Sequence, residues 1–410
     1  MRICGPALHF FLERNMREPF VVDEMQEAVL DSVRRFVTDE ILPVSADLDA
    51  NTDPEESFSW EIVEKADAAG IRTMTLPEEW GGIGADYLTT GMVVEELAMG
   101  DIGISVVMAQ TLKIAQIMME ALSEDQQQRF IPRFRDDPRG LLAIGITEPE
   151  NGSNYFVHGD WSFNTRAEKV DGGWKINGMK HFVSNSNRAN VFLLFVQTEK
   201  DKDLFSGSTC FILSNQTPGF SLGQVHNKMG ERLANNAEMI FQDCFVPDAD
   251  VVGEIGNGFQ ILADFFPASN AYAGASVLGN AVATYEMTLE WAKNRIQGGK
   301  ALIEHDGIRT QLAEMHMMLD VARTYIRKAT WAADNRDTVP WDPALGALPK
   351  VYASQIAWQI ATWAMEIHGG SGFMKEIGLE KRVRDAAAFL HSDGVNRTLF
   401  LKAADYLYRD

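Results

Sequence analysis

The sequence is short of cysteine and of basic residues, and each shortage excludes a class of protein. Three cysteines in 410 residues, Cys4, Cys210 and Cys244, are too few and too widely spaced for a disulfide framework or a zinc site. A reducing, cytoplasmic compartment is therefore expected. The 37 basic and 58 acidic residues give a net charge of −21, which argues against nucleic acid as a partner. No apolar run reaches the length needed to span a bilayer, so we predict no stable membrane insertion.

The hydrophobic pattern changes twice along a chain that is long enough for two or three domains. From Val22 to Ala50, and again up to Leu122, apolar residues recur at the three- and four-residue spacing of amphipathic helices. Between about 140 and 250 the segments are short, rich in β-branched and aromatic residues, and separated by Asn-Gly and Asp-Gly turns. Long helices are predicted again after Gly258, including a bundle seam from Ile308 to Ala329.

The predicted fold class is α+β, with helical, β and helical domains in this order. The predicted boundaries are 21–140 for an N-terminal α-helical domain, 141–250 for a middle β domain and 251–410 for a C-terminal α-helical bundle. Residues 1–20 form a leader, interpreted as a disordered segment or as an over-extended gene start with Met16 as the first residue. The leader does not fit a signal peptide, because Gly5 and Pro6 break its apolar stretch.

Two glycine-containing motifs lie far apart in the sequence, Ile144-Gly-Ile-Thr-Glu-Pro-Glu-Asn-Gly-Ser-Asn154 and Glu366-Ile-His-Gly-Gly-Ser-Gly-Phe373. Glycine at a helix end is usually a C-cap, but two close glycines also let the backbone approach a large planar or phosphorylated ligand. The basic cluster Glu380-Lys-Arg-Val-Arg-Asp385 and a lone acid, Asp393, follow, and they could interact with such a ligand. In this order and separation the motifs resemble the two signatures of the acyl-CoA dehydrogenase family of flavoproteins. The resemblance runs from about Met25 to the C-terminus.

The resemblance implies the fold and the partners of that family. The fold has an N-terminal α-helical domain, a middle antiparallel β domain and a C-terminal four-helix bundle. The implied cofactor is one non-covalent FAD, the implied substrate an acyl-CoA, and the implied electron acceptor a protein such as an electron-transfer flavoprotein. A homotetramer is expected, because the arginine that matches Arg295 reaches the FAD of a neighbouring subunit in the family.

The implied FAD contacts can be carried over residue by residue. They are Ile144, Ile146, Thr147, Gly152, Ser153, Phe182, Ser184, Arg295, Glu366, Gly369, Gly370, Val395 and Arg397. Ser184 stands where the family usually has Thr and keeps the hydroxyl that donates to flavin N5, while Phe182 replaces a Trp and keeps an aromatic ring. Five further positions depart from the family pattern: Asn154 stands for Asp, Gly298 for Phe, Glu366 for Gln, Val395 for Thr and Arg397 for Gln.

Asp393 is the predicted catalytic base. In the family, a carboxylate removes the α-proton of the substrate while the β-hydride passes to flavin N5 from the opposite face. That carboxylate is usually a Glu in a Tyr-Glu-Gly-Thr turn, and the matching segment here is Ser392-Asp393-Gly394-Val395. Aspartate is shorter by one methylene, which is about 1.5 Å of reach. The predicted substrate contacts are Ser153, Ser269, Asn270 and Gly394.

The short base and a missing arginine leave three hypotheses for the function. Many relatives have Asp-x-x-Arg, whose Arg helps to hold CoA, where this chain reads Pro267-Ala-Ser-Asn270. The first hypothesis is an acyl-CoA dehydrogenase for a branched or cyclic acyl chain, since Asp bases occur in family members with cyclic substrates. The second is a flavin oxidase of the nitroalkane oxidase type, favoured by Asp393 and Ser269. The third is a non-catalytic FAD- or CoA-binding subunit that pairs with an active partner.

Overall fold

The structure, a computed structural model, describes residues 22–153, 157, 159–340 and 342–408. The predicted leader over 1–20 and the departure at Asn154 lie outside the described residues. Helices, then a sheet, then helices again follow one another along the chain. This order confirms the predicted α+β class, while the domain boundaries to the residue stay a prediction.

Most of the N-terminal helices begin at a residue whose side chain accepts backbone N–H bonds. Asp23 and Gln26 form a capping box at the first helix, and Asp101 accepts from the N–H groups of Gly103 and Ile104 at the fifth. The helices are α1 (Glu24–Phe36), α2 (Leu42–Asp49), α3 (Trp60–Ala68), α4 (Tyr87–Gly100), α5 (Ile102–Ala121) and α6 (Glu124–Arg135), with a π-helical turn at Val37–Ile41.

Helix α5 corrects one prediction from the sequence. By length and composition it is apolar enough to cross a membrane, so the statement that no run reaches that length was wrong. Almost all of its residues are nevertheless buried inside the protein, where it packs against α4 and the sheet. Burial by its own protein explains the apolar composition, and α5 is a core helix of the fold.

The middle of the chain forms one mainly antiparallel sheet. Its strands are β1 (Leu142–Gly145), β2 (Arg166–Val170), β3 (Gly173–Ser184), β4 (Val191–Gln197), β5 (Ser208–Ser214), β6 (Phe220–Val225), β7 (Asn236–Pro247) and β8 (Val251–Val252). A short helical turn, α7 (Leu204–Gly207), precedes β5. The strand order is β6-β7-β3-β2-β4-β5-β8, and β1 pairs with β4 in parallel. Every residue of β4 and β5 is buried, so these strands carry the core of the sheet.

Long helices form the last third of the chain. They are α8 (Gly258–Asn294), α9 (Asp306–Asp334), α10 (Pro343–His368), α11 (Leu379–Ala388) and α12 (Asn396–Tyr408), with a small hairpin of β9 (Ile296–Gln297) and β10 (Lys300–Ala301) after α8. The predicted seam of α9 is confirmed from Leu312 to Ala329, where Met315, Leu319 and Ile326 are fully buried. Helix α8 packs against α4, α9 and α10 and so joins the two helical parts.

The basic cluster after the second glycine motif is structural rather than part of a site. Lys381 Nζ lies 2.7 Å from Asp101 Oδ2 and 2.6 Å from Asp385 Oδ2. Arg382 donates to the carbonyl oxygens that end α4, and Arg384 pairs with Asp49. These contacts of the buried Lys381 and Arg382 and the half-buried Arg384 attach α11 to the N-terminal helices, and the expectation that the cluster meets a ligand was wrong.

Candidate active site

A buried ion pair joins the first glycine motif to strand β3. Lys180 Nζ lies 2.8 Å from Glu148 Oε1 and also donates to the carbonyl oxygen of Ile146, and both charged side chains are almost fully buried. Burial lowers the pKa of Lys180 to about 8, although Glu148 opposes the shift. Burial alone would raise the pKa of Glu148, but Lys180 and the backbone N–H of Thr165 hold it below its usual value. The two segments therefore meet side by side.

The end of β3 presents an aromatic ring and a hydroxyl beside Thr147. The backbone N–H of His181 donates to the carbonyl oxygen of Thr147 at 2.8 Å. An irregularity in the pairing of β3 with β7 follows, where Phe182 adopts a φ of 54° and leaves 59% of its surface exposed. Ser184 Oγ accepts a hydrogen bond from Asn236 Nδ2 at 2.9 Å, so its own hydrogen remains free to donate. This arrangement fits a planar ligand with a hydrogen-bond acceptor.

Asp393 lies in a turn after α11, where side chains from α5, α8 and α10 contact the turn or one another. Its carboxylate Oδ1 is 3.4 Å from Lys113 Nζ, and Lys113 Nζ also donates to Ser269 Oγ at 3.1 Å. Asn270 Nδ2 donates to the backbone carbonyl oxygen of Asp393 at 2.9 Å. Lys350, on α10, donates a hydrogen bond to the next residue of the turn, Gly394. We call these five residues, Lys113, Ser269, Asn270, Lys350 and Asp393, the carboxylate cluster.

The backbone of the turn is fixed on both sides of Gly394. Lys350 Nζ donates to the Gly394 carbonyl oxygen at 2.7 Å and to Asn396 Oδ1 at 3.0 Å. Burial lowers the pKa of Lys350 to about 7, and the charge of Asp393 opposes that shift. The Val395 N–H donates to Ser153 Oγ at 2.9 Å, which connects the turn to the first glycine motif. Hydrogen bonds to three successive backbone groups of the turn therefore position the short carboxylate.

A second group of predicted residues assembles at the other end of α8. The Arg295 guanidinium lies 5.7 Å from the centroid of the Trp291 ring, and that ring stacks on His368 at 4.9 Å. Gly369, with a φ of 59°, and Gly370 follow His368 directly, and a Cβ at either glycine would meet no atom within 4 Å. We call Trp291, Arg295, His368, Gly369 and Gly370 the glycine cluster.

The glycine cluster is open and has unused hydrogen-bonding atoms. Arg295, Gly369 and Gly370 are exposed. Trp291 Nε1 and His368 Nε2 are buried and have no hydrogen-bond partner among the residues that the structure describes. An exposed guanidinium beside backbone that a ligand can approach closely suits a pyrophosphate.

One helix separates the two clusters. Asn270 lies about a third of the way along α8 and Trp291 near its end, 21 residues later, which corresponds to about 30 Å at 1.5 Å per residue. Asp393 and Arg295 of the same chain therefore lie far apart. Each cluster is compact, but the two do not form one continuous site within a single chain.

The remaining predicted residues are placed as follows. Ile146 is buried, Ile144, Thr147 and Gly152 are half-buried, and Glu366 and Arg397 are exposed, the latter in the first turn of α12. Both backbone groups of Val395 are already used, since its carbonyl oxygen accepts from the Leu399 N–H. The roles of these residues as cofactor contacts stay predictions.

Two lysines of the carboxylate cluster were missed by the reading of the sequence. Lys113 and Glu120 are the only charged residues of Ile102–Ala121, and an isolated cation in such an apolar helix was the available signal. Lys350 gave a similar signal, because Lys350 and Glu366 are the only Asp, Glu, Lys or Arg residues of Pro343–His368. Both contacts with the turn span more than 40 residues of sequence.

Comparison with known proteins gives matches along nearly the whole chain. Three family models match in succession: acyl-CoA dehydrogenase N-terminal domain over residues 23–136, middle domain over 143–244 and C-terminal domain over 256–405. An acryloyl-CoA reductase (NADH) of Anaerotignum propionicum is 30% identical over 374 residues, covering 91% of this chain and 92% of the relative. A cyclohex-1-ene-1-carbonyl-CoA dehydrogenase of Syntrophus aciditrophicus (strain SB) is 29% identical over 377 residues, 91% of this chain and 87% of the relative.

Solved structures give the same result. Butyryl-CoA dehydrogenase from Megasphaera elsdenii has a TM-score of 0.87 and 29% identity, covering 95% of this chain and 100% of that one. The FAD complex of PigA has a TM-score of 0.85 and 26% identity, covering 95% and 98% of the two chains. The domain order, the joined motifs and these matches agree, and the chain belongs to the acyl-CoA dehydrogenase family.

Proposed function

We propose that this enzyme catalyses the FAD-dependent α,β-dehydrogenation of an acyl-CoA thioester, with Asp393 as the base that removes the α-proton. The observation that carries the proposal is the hydrogen bond between Ser153 and Val395, which places the Asp393 turn against the first glycine motif. The names of the relatives, which include dehydrogenases of CoA thioesters, support the substrate class.

The residues present fit FAD. Phe182 offers an exposed ring and Ser184 a free hydroxyl hydrogen for the isoalloxazine, next to Thr147. Arg295 and the open backbone at Gly369 suit the pyrophosphate. When bound, FAD supplies the acceptor for the hydride that leaves the β-carbon. The PigA complex supports this cofactor, since its title names FAD.

The chain's own residues orient the substrate and take the proton. Asp393 accepts the α-proton at its carboxylate, which the turn holds in place. The backbone N–H of Asp393 makes no hydrogen bond to any described residue, so it can donate to the thioester carbonyl oxygen as negative charge develops there. Lys113 and Asn270 are almost fully buried, which keeps bulk water away from the far side of the carboxylate.

The acyl group we propose is compact, either branched or cyclic. Lys113 and Ser269 place an ammonium and a hydroxyl beside Asp393, and a long straight alkyl chain would cover these polar groups without bonding to them. The relative named for a cyclohexene carbonyl-CoA supports a cyclic acyl group.

We propose a homotetramer that passes electrons to a protein such as an electron-transfer flavoprotein. The two clusters are about 30 Å apart on α8. The five-carbon ribityl chain that links the ring of FAD to its phosphates spans less than about 10 Å at about 1.5 Å per bond. This separation supports an assembly in which Arg295 contacts the FAD of a second copy. Light scattering of a stable FAD-loaded monomer would contradict this assembly.

The reaction is tested by mixing the yellow holoenzyme anaerobically with a panel of acyl-CoAs and following flavin absorbance. Bleaching by a CoA ester supports the dehydrogenase. Consumption of a nitroalkane with release of peroxide would instead select the nitroalkane oxidase hypothesis, which the Asp393–Lys113–Ser269 contacts favour as second candidate. Release of FMN in place of FAD would contradict the cofactor.

A further inference from the structure

The ammonium group of Lys113 has an incomplete set of partners. Its side chain is 7% exposed, and among the described residues it bonds to Ser269 Oγ and, at 3.4 Å, to Asp393 Oδ1. An ammonium carries three N–H donors, so one donor of this buried group is left without an acceptor among the described residues. An unmade hydrogen bond to a buried charged group is costly, and a ligand that supplies an acceptor here is favoured.

Asn270 has a complementary deficit next to the same carboxylate. Its Nδ2 must face the Asp393 carbonyl oxygen, because only the NH₂ end of the amide can donate there. This contact fixes the orientation of the amide and leaves Oδ1 buried, with no partner among the residues described. Asn270 is 1% exposed, so bulk water does not reach this acceptor.

The chemistry of the two groups selects the ligand. One free donor on Lys113 and one free acceptor on Asn270 match a hydroxyl, which accepts one hydrogen bond and donates another. A carboxylate would lack the hydrogen that Asn270 Oδ1 requires. It would also add a second negative charge beside Asp393, whose charge already balances that of Lys113.

We propose that Lys113 and Asn270 form a polar subsite that binds a hydroxyl on the acyl chain, so that the preferred substrates are short acyl thioesters bearing a hydroxyl. This inference rests on the proposed dehydrogenation and narrows its substrate class. Lys113 thereby acts as a specificity-determining residue, and its contact with Asp393 places the subsite next to the reacting α-carbon.

The test compares 4-hydroxybutyryl-CoA with butyryl-CoA, which differ by one hydroxyl, in the FAD-loaded enzyme. Two quantities are measured for each thioester. The first is the rate constant of flavin reduction divided by the apparent dissociation constant, and the second is the binding constant from calorimetric titration. A site built to bind a hydroxyl discriminates strongly against the analogue that lacks it, and we expect a preference of about tenfold or more. Lys113→Met keeps the length of the side chain but has no hydrogen-bond donor. In this variant the rate with butyryl-CoA should rise relative to the rate with 4-hydroxybutyryl-CoA, so that the two thioesters react about equally well.

Glu120→Gln is the matched control on the same helix, since Glu120 bonds to Tyr87 and Arg336 outside the carboxylate cluster, and it should keep the wild-type preference. Equal binding and equal reduction by the two thioesters in the wild type would overturn the subsite while leaving the dehydrogenation intact. Tighter binding of the hydroxy thioester without any flavin reduction would keep the subsite and overturn the reaction. The wild-type comparison needs no variant, so it decides the proposal even if Lys113→Met does not fold.

Discussion

The carboxylate cluster and the glycine cluster lie about 30 Å apart along α8, and they are built in opposite ways. Around Asp393, the buried side chains of Lys113, Asn270 and Lys350, from three helices, donate hydrogen bonds to the turn. Around Gly369 the backbone is exposed, the neighbouring space is empty of protein atoms, and two buried ring nitrogens have no partner among the described residues. The first cluster is formed by one chain and leaves a donor of Lys113 and an acceptor of Asn270 for a substrate, whereas the second is an exposed surface that a ligand and, in the proposed assembly, a second chain would complete.

The difference reflects what each region has to do. A base must hold its position to within a fraction of an ångström of the reacting atom, so its surroundings are fixed before the substrate arrives. A phosphate contact needs charge and approachable backbone, and it tolerates exposure. We therefore expect substitutions in the carboxylate cluster to change chemistry, and substitutions in the glycine cluster to change cofactor retention and assembly.

The largest effect is expected from Asp393→Asn. The amide is nearly isosteric but cannot accept the α-proton, so flavin reduction by the substrate should slow by about 100- to 10,000-fold while FAD stays bound. Stopped-flow absorbance measures the rate, and the visible spectrum reports the FAD. Full reduction by the variant would show that the base lies elsewhere, with Glu366 and Glu376 as the next candidates. Asp393→Glu, which restores the usual reach, should clash and slow the reaction if the substrate sits close to a short base.

Arg295→Met tests the opposite end of α8. Loss of the guanidinium should weaken FAD binding by about 10- to 100-fold, because charge-assisted bonds to a phosphate are the strong ones, with flavin reduction in the still-loaded fraction unchanged. Flavin fluorescence on dilution measures release. Arg309→Met is a control, since Arg309 is an exposed arginine that pairs with Asp306 at the start of α9. Equal retention in both variants would remove Arg295 from the FAD site.

Lys350→Met tests whether the turn rests on a buried amine. With a folded pKa of about 7 and an ordinary value of 10.5, Lys350 releases its proton in the folded state while the unfolded chain keeps it. The unfolded state then binds more protons between these values, so the free energy of unfolding rises with pH in that window. We expect the wild type to gain about 2 kcal/mol over the variant between pH 7 and 9. Denaturant titrations at both pH values measure this, and parallel stability curves would contradict it.

Ser184→Ala should give the smallest effect. It removes one donor to the flavin ring while Asn236 keeps the strand end in place, so flavin reduction should slow about five- to tenfold. Ser184→Thr retains the hydroxyl and should behave as the wild type. An unchanged rate in Ser184→Ala would mean that the hydroxyl points away from the ring.

The sequence predicted the fold and the residues that carry recognisable chemistry, including Asp393, Ser153 and Asn270. The α–β–α order followed from hydrophobic periodicity, whereas the site residues were carried over from the resemblance to the acyl-CoA dehydrogenase family, and their roles stay predictions. Lys113 and Lys350 could not be placed in the same way, because their contacts with the turn depend on how α5 and α10 pack against it. The expectation that the basic cluster meets a ligand was wrong for the same reason, since Lys381 pairs with Asp101, which lies in another domain. The cytoplasmic location and the residue-level domain boundaries stay predictions.

The length of α8 has a consequence for mixtures of variant chains. Because the helix holds the carboxylate cluster and the glycine cluster about 30 Å apart, each chain contributes to two different FAD sites in the proposed assembly. A dimer of one Asp393→Asn chain and one Arg295→Met chain would have one site with both defects and one site with neither. Two variants that are impaired alone should therefore complement each other when unfolded and refolded together, which is a phenotype that a self-contained monomer cannot show.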